Sequence, residues 1–270
     1  MKLKINALNF FSLVAILFSS CTTYLTPAIL GNNIAYLPKS MVADSLKSLT
    51  SLSGSYAVAV SPDGDISYEM GMANLSRAHT FKDFNIAYGA YGYFGKASNG
   101  GTITSPEDSR KYLQSFSKSI SGLGFRLSTG LSHTSTNGNT DFRYVNFENA
   151  LSIESGNYTK FREQIYNSDL PDYVAVTRKK VLWTTGLSTE VIWQARHNHD
   201  IKHSFRLFMG GTPGLVNSFK YGSANQRSIT EDSSFGFSLS YHLLVHRFSF
   251  CFETANRVNL SEKFTLGYCF

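Results

Sequence analysis

Cysteine is scarce in this sequence, and the short motifs that most directly indicate chemistry are missing. Three cysteines occur among 270 residues, and none of them forms a Cys-x-x-Cys pair. No glycine-rich phosphate-binding loop or nucleotide signature is present. Lysines and arginines are scattered, without a block of five or more like charges. The sequence therefore predicts no catalytic residues, no cofactor, no metal site and no nucleic-acid partner.

The opening residues have the layout of a secretory signal peptide. Lys2 and Lys4 precede an apolar stretch, Phe10–Phe18, that is too short for a spanning helix and is followed by small residues. The stretch LFSSC resembles the lipobox of bacterial lipoproteins, although Phe18 stands where Leu, Val or Ile is commoner. The resemblance implies cleavage after residue 20 and attachment of acyl chains such as palmitate to Cys21. The alternative is an ordinary signal peptide cut elsewhere.

Three segments are expected from these patterns: a signal peptide at 1–20, a lipidated tether at 21–52 and a β-barrel domain at 53–270. The tether contains Pro27, Gly31 and Pro38, which are residues typical of irregular chain. Acyl chains at about 0.8 kcal/mol per buried CH₂ would make Cys21 a membrane anchor. No acidic run follows Cys21, so we expect the tether on the periplasmic side.

Beyond residue 53 the chain alternates apolar and polar residues in segments separated by turn residues. In SYAVAV the residues Tyr56, Val58 and Val60 share one face, and Ile66–Met72 repeats the alternation after a Pro-Asp-Gly turn. Equivalent segments recur to the last residue and predict about ten strands. Because that number is even, both ends of the barrel wall are expected on the same side.

The final residues, EKFTLGYCF, place an apolar side chain at every second position up to Phe270. This stretch resembles the carboxy-terminal signature of bacterial outer-membrane β-barrel proteins, in which an alternating strand ends on an aromatic residue. The resemblance implies an all-β fold, an antiparallel up-and-down barrel closed so that no strand edge faces lipid. Together with the lipobox, it implies a family of outer-membrane lipoproteins.

Two segments have helical features and are predicted as short helical insertions between strands. SPEDSRKYLQSFSKSI begins with Ser105 as a candidate N-cap, followed by Pro106 and acidic residues. GNYTKFREQIYN places Tyr158, Phe161 and Ile165 on one helical face.

The composition of the two strand faces favours lipid on the apolar side. The polar faces are rich in Gly, Ser and Thr and carry charges of both signs, as expected of a narrow lumen filled by paired side chains. The charged residues assigned to the lumen are Glu69, Arg126, Glu148, Glu154, Glu190, Arg206, Arg247 and Glu253. The alternative is a lipid-tethered, lipocalin-like barrel whose apolar faces enclose a ligand.

Two groups of residues have side chains that could support chemistry. His197, His199 and His203 alternate near a hairpin tip, but no cysteine or carboxylate pattern completes a metal site. Ser240 and His242, with His246 beyond them, lie on the polar face of one strand, as in lipid-modifying barrel enzymes, yet no third member is evident.

Cys251 and Cys269 both occupy polar-face positions of neighbouring strands. A hairpin centred near Leu260 would place them across from each other and allow a disulfide in an oxidising compartment. The alternative is two free buried thiols.

The sequence thus predicts a bacterial outer-membrane protein, lipid-anchored through its amino terminus, with a structural, adhesive or assembly role. Its expected partners are membrane lipid and other envelope proteins. Porin-like transport is disfavoured, because a ten-stranded lumen is narrow. A tethered ligand-binding barrel and a lipid-modifying enzyme are the alternatives.

Overall fold

The computed structural model describes residues 22–45, 47–100, 113–196, 198–223 and 234–270. Of His199 only the backbone is described. The predicted signal peptide, Cys21 and the start of the first predicted helix, residues 105–112, lie outside this part of the chain.

The described residues form ten long strands, three short strands and one α-helix. The long strands are β2 (Ser48–Val60), β3 (Ile66–Thr80), β4 (Phe84–Asn99), β5 (Ser117–Thr134), β6 (Thr140–Ser155), β8 (Val181–Ala195), β9 (Asn198–Gly211), β11 (Gly236–Val245), β12 (Phe248–Arg257) and β13 (Asn259–Cys269). The short strands are β1 (Thr23–Leu25), β7 (Val174–Thr177) and β10 (Phe219–Tyr221), and the helix is α1 (Asn157–Asn167). A turn of 3₁₀ helix covers Val216–Ser218.

The ten long strands form one closed antiparallel barrel, which confirms the predicted fold class and strand number. The last strand closes the wall by pairing with the first, from Leu260 opposite Val60 to Cys269 opposite Ser51. The Phe270 amide donates a hydrogen bond of 2.8 Å to the Thr50 carbonyl. The wall therefore begins and ends on the same side, as an even strand number requires.

The two ends of the barrel differ in their connections. At the end where β2 begins and β13 finishes, here called the terminal end, the strands are joined by residues 81–83, 135–139, 196–197 and 246–247. At the opposite end, here called the loop end, the connections include residues 100–116, 156–180 and 212–235. The loop end carries α1 and a small sheet in which β1 runs parallel to β7 and β10 antiparallel to it.

One of the two predicted helices is present. The segment GNYTKFREQIYN forms α1, which starts after Gly156, a glycine with φ 104°. The other prediction is wrong for Ser117–Ile120, which open β5, because Ile120 alternates into the barrel as a buried residue. Among the described residues no helix is both long enough and apolar enough to cross a bilayer.

Most strands turn their apolar side chains outward, as predicted, but the beginning of β3 is reversed. Ile66, Tyr68, Met70 and Met72 point inward, where they join a buried apolar cluster with α1 at the loop end. Glu69 consequently faces outward and lies 3.3 Å from the Lys96 ammonium on the neighbouring strand. The predicted lumen position of Arg247 is also wrong, since this residue lies in the exposed turn between β11 and β12.

Glycines in β5 make room for two inward tyrosines of β4. Gly124 is paired with Tyr91 and Gly122 with Tyr93. A Cβ atom on Gly124 would lie 2.3 Å from Tyr91 Cζ, and one on Gly122 would lie 2.4 Å from Tyr93 Cζ. These small residues therefore relieve crowding in a narrow lumen.

Candidate functional site

The lumen is filled by the amino-terminal segment of the chain, residues 22–45, here called the plug. Residues 22–36 are all buried, and Met41 is completely inaccessible to solvent. This differs from the flexible tether expected for residues 21–52. Apart from β1, residues 22–45 form neither strand nor helix, and the barrel wall supplies the hydrogen-bond partners that regular structure would otherwise provide. The last part of the predicted tether, from Ser48, already belongs to β2.

The plug runs through the barrel from the loop end to the terminal end. At the loop end the Thr23 amide donates to the Tyr173 carbonyl at 2.8 Å, as β1 pairs with β7. At the terminal end the Asp44 carboxylate lies 2.6 Å from the Lys202 ammonium at the start of β9. The chain then enters β2 directly, so the plug is continuous with the first strand of the wall.

Carboxylates of the wall accept hydrogen bonds from plug amides at three levels. Near the loop end the Ala28 amide donates to Glu154 Oε2 at 2.7 Å. Near mid-barrel the Tyr36 amide donates to Glu253 Oε1 at 2.9 Å. At the terminal end the Val42 amide donates to Asp141 Oδ2 at 2.7 Å. Each bond pairs a main-chain donor that has no strand or helix partner.

Arginines of the wall donate to plug carbonyls between those levels. Arg257 Nη2 donates to the Gly31 carbonyl at 2.8 Å. Arg126 donates from Nε to the Asn33 carbonyl at 2.8 Å and from Nη2 to the Asn32 carbonyl at 3.2 Å. Arg143 Nη2 donates to the Ser40 carbonyl at 2.7 Å. Charged wall side chains thus pair with both the donors and the acceptors of the plug backbone.

The charges of the lumen are only partly paired with one another. Ion pairs join Arg206 to Glu148, Lys263 to Glu253 at 3.0 Å, Lys39 of the plug to Glu190 at 3.1 Å, and Arg162 of α1 to Glu154 at 2.5 Å. The buried cations are Lys39, Arg126, Arg143, Arg162, Arg206, Arg257 and Lys263, and the buried anions are Asp141, Glu148, Glu154, Glu190 and Glu253.

Two positive charges are in excess in this set, and two arginines account for them. Within the described part of the chain, neither Arg126 nor Arg257 lies within ion-pair distance of a carboxylate. Their charges are instead solvated by the carbonyls of Gly31, Asn32 and Asn33. Burying an uncompensated charge is costly. The wall therefore depends on these three plug carbonyls to stabilise the buried charges of Arg126 and Arg257.

A cavity of about 20 Å³ lies between the plug residues Tyr36 and Leu37 and the wall residues Arg126 and His242. A volume of this size is near the minimum that holds one water molecule. At this level of the lumen, the space between the plug and the wall is therefore too small for a solute larger than water.

Ser240 and His242 face the lumen, but they do not form a nucleophile and base pair. Ser240 Oγ donates to Glu253 Oε1 at 3.0 Å and accepts from Arg206 Nη1 at 3.2 Å. The His242 ring packs against the Tyr36 ring, with 4.6 Å between centroids. The serine hydroxyl therefore belongs to the charge network that holds the plug.

Of the three histidines near the β8–β9 turn, the structure describes the side chain of His203. His197 and the His199 side chain lie outside the described residues. His203 faces outward between Trp193 and Tyr241, with Nδ1 2.8 Å from the Tyr241 hydroxyl. The parts of the chain that the structure describes contain no group of three or more residues arranged to hold a metal ion.

Cys251 and Cys269 are buried, as predicted, but the hairpin register separates them. Cys251 pairs with Thr265 rather than with Cys269. Four residues along a strand correspond to about 13 Å, which is too far for a disulfide. The turn is centred on Val258, which has φ 69°, and not on Leu260. Both thiols are free in the structure.

The plug itself was missed by sequence reasoning, although a signal was present. The stretch TYLTPAILGNNIAYLP contains many apolar residues for an exposed tether, and Leu25, Ile29 and Ile34 are all buried.

The fold and the lumen define the class of this protein: a closed, ten-stranded antiparallel barrel occluded by its own amino-terminal segment. No protein-family model matches the chain. No curated protein matches its sequence.

Among solved structures, the chain is similar to the transport unit, the translocator domain and the β domain of three autotransporters. The transport unit of AIDA-I from Escherichia coli is 8% identical, with 88% of this chain and 94% of that chain covered and a TM-score of 0.41. The translocator domain of NalP from Neisseria meningitidis is 8% identical over 84% and 90%, with a TM-score of 0.39. The β domain of the Bordetella autotransporter Brka is 9% identical over 83% and 99%, with a TM-score of 0.44.

Proposed function

We propose that this protein is a bacterial outer-membrane β-barrel, lipid-anchored through Cys21, with a structural, adhesive or assembly role. The observation that carries the proposal is a belt of large apolar side chains on the outside of the wall. The belt includes Leu52, Tyr56, Leu75, Phe94, Leu123, Phe125, Leu131, Val145, Phe147, Leu151, Trp183, Leu187, Phe205, Phe237, Phe250, Phe252, Phe264 and Leu266.

A belt of this kind favours lipid as the surrounding medium. Soluble monomers rarely expose contiguous apolar patches of more than a few hundred Å². Phe237, for example, is 45% exposed on β11, and Phe252 is 48% exposed on the adjacent β12. A closed barrel also leaves no unpaired strand edge, which is the condition for a β-structure to sit in hydrocarbon.

The distribution of aromatic residues gives a second line of support. Near the terminal end, outward-facing rings contact one another in the pairs Phe81–Phe84, Phe142–Tyr144, Trp193–His203 and Phe248–Tyr268. Girdles of aromatic residues mark the water interface of transmembrane barrels. We assign this ring of residues to the periplasmic interface.

The soluble, ligand-binding alternative is disfavoured by the direction of the side chains. A lipocalin-like barrel would turn its apolar faces inward around a ligand, whereas here the middle of the lumen is lined by charged residues such as Arg126 and Glu148. The plug occupies the space that a ligand would need. Membrane lipid and other envelope proteins are the proposed partners.

The filled lumen also argues for a role that does not require solute flow. The helix α1 and the sheet of β1, β7 and β10 lie together at the loop end. A ten-stranded wall that presents this cap at one face of the membrane is suited to adhesion or to assembly with other envelope proteins.

Anchoring can be tested by separating the lipid from the barrel. A Cys21→Ala variant, exported by a non-lipoprotein signal peptide, is expected to stay in the outer-membrane fraction after a carbonate or urea wash, because the apolar belt anchors it. Release of folded, soluble protein would contradict the membrane barrel. Cys251→Ala is the matched control, since it also removes one thiol but lies in the lumen.

Lipid attachment can be tested independently of anchoring. Cells grown with labelled palmitate are expected to label the wild-type protein and the Cys251→Ala control but not the Cys21→Ala variant. Equal labelling of all three proteins would contradict acylation at Cys21.

A further inference from the structure

We infer that the mature amino terminus emerges at the cell surface, so that a lipid on Cys21 enters the outer leaflet from the loop end of the barrel. The inference rests on the proposed outer-membrane location. It reverses the periplasmic side expected from the sequence, and it makes the protein a lipoprotein that is threaded through its own barrel.

The lengths of the connections between strands indicate how the barrel is oriented in the membrane. Bacterial outer-membrane barrels have short periplasmic turns and longer extracellular loops. Here the terminal end has connections of at most five residues, such as 135–139, whereas the long connections 156–180 and 212–235 are at the loop end. The loop end is therefore the extracellular end.

The second step is the position of the first described residues. Thr23 Oγ1 donates to Asp65 Oδ2 at 2.7 Å, and the Tyr24 amide donates to Asp63 Oδ2 at 3.2 Å. Both carboxylates belong to the turn between β2 and β3, at the loop end. Cys21 is joined to Thr22 by one peptide bond, which sets their Cα atoms about 3.8 Å apart.

The third step is the path of the chain between the two ends. Arg126 and Arg257 hold residues 31–33 in mid-lumen, and Asp141 and Lys202 hold Val42 and Asp44 at the terminal end. The wall around these contacts is closed. The amino terminus could reach the periplasmic side only if all of these contacts were broken and the plug left the lumen.

The turn at residues 61–65 also explains how a lipid could reach the bilayer. This turn joins two neighbouring wall strands, so it lies at the rim of the barrel and not on its axis. A residue held next to the rim is adjacent to the leaflet that surrounds the loop end. The acyl chains then enter the same bilayer that the wall spans.

Epitope accessibility tests the inference directly. One short epitope is inserted after Cys21, after Gly64 at the loop end, or after Asn137 at the terminal end, in three separate variants. On intact cells, antibody is expected to detect the epitopes after Cys21 and Gly64, and to detect the Asn137 epitope only after the outer membrane is permeabilised. An epitope after Cys21 that behaves like the Asn137 epitope would overturn the inference.

The same experiment separates this inference from the proposed function. If the Gly64 and Asn137 epitopes are equally accessible and carbonate releases the protein, the membrane barrel itself is refuted. If the Asn137 epitope alone is detected on intact cells, the barrel stands but its orientation, and with it the inference, is refuted.

A cross-linking measurement covers the case in which the inserted epitope disturbs the plug. In a Cys251→Ser and Cys269→Ser background, Thr23→Cys with Asp65→Cys is expected to be joined by a short bismaleimide in isolated membranes. The control pair, Thr23→Cys with Asn137→Cys, spans the barrel and should remain unlinked. Linking of the control pair but not of the first pair would overturn the inference.

Discussion

Replacing Arg126 by leucine should loosen the plug while leaving the wall intact. The guanidinium donates to the carbonyls of Asn32 and Asn33 and to Asn74 Oδ1 at 2.8 Å. It also lies 3.8 Å from the centroid of the Tyr91 ring. The substitution removes all of these interactions at once and leaves two buried plug carbonyls without their donor.

The size of the effect follows from the contacts. A buried polar group that loses its partner costs about 1–3 kcal/mol, so two carbonyls cost roughly 2–6 kcal/mol. Removing a buried charge that has no carboxylate partner offsets part of this loss. We expect a net loss of about 2 kcal/mol in docking of the plug, which corresponds to a roughly 30-fold larger undocked fraction.

Channel recordings in planar bilayers measure this fraction, because an undocked plug opens the lumen. Arg126→Leu should show openings many times more often than the wild type, and Arg126→Lys should fall between them, since lysine keeps the charge but not the planar fork. Arg77→Leu is the matched control, because it removes an exposed, outward-facing arginine from β3. Equal opening frequencies in Arg126→Leu and Arg77→Leu would refute the reasoning.

Three further outcomes are expected from single changes. Phe237→Arg, in the outward belt, should lower the yield of protein inserted into liposomes, because a cation at the bilayer midplane costs about 2–4 kcal/mol. The control variant Phe237→Leu should insert normally, and equal yields of the two variants would contradict a lipid-facing position. Gly124→Val should destabilise the barrel in urea titrations by about 1–3 kcal/mol, because the new Cβ overlaps the buried Tyr91 ring, and an unchanged midpoint would contradict that crowding. Burial raises the pKa of Asp63 from its ordinary value of 3.8 to about 7. Between about pH 4 and 7 the folded protein therefore holds a proton that the unfolded chain has lost, so the urea midpoint of unfolding should fall as pH rises through this window. The Asp63→Asn variant should show a weaker dependence of the midpoint on pH.

The alternation of apolar and polar residues was sufficient to predict the strands of the barrel wall and the direction of most of their side chains. Tyr56 and Phe237 face outward and Arg126 and Glu148 face inward, because the period of a strand fixes which side chains share a face. The inward direction of the apolar side chains in Ile66–Met72 could not be predicted from alternation alone. There the lumen itself is apolar, since α1 and the plug bring Tyr158, Leu25 and Ile29 against β3 from distant parts of the sequence.

The errors at the hairpin and in the tether have a common physical origin. Whether Cys251 lies opposite Cys269 depends on the position of the turn between β12 and β13. The turn is at Val258, which adopts a left-handed conformation that is rare for a β-branched residue, so the sequence did not indicate it. The plug has no periodicity to detect, because its order comes from wall side chains up to 233 residues away, as between Thr26 and Asn259. Long-range partners of this kind are not encoded in any local pattern.

Many of the hydrogen bonds between the wall and the plug use main-chain atoms of the plug, and this has a consequence for how the sequence can change. Amides at residues 28, 36 and 42 and carbonyls at residues 31–33 and 40 exist whatever side chains these positions carry. Gly31 is an exception, because its φ is 87° and a Cβ there would lie 2.4 Å from Ser261 Oγ. Lys39 and Asp44 are constrained as well, since their side chains form ion pairs with Glu190 and Lys202. At the other hydrogen-bonded positions, a side chain that still fits the lumen can change without loss of the main-chain hydrogen bonds that the wall makes.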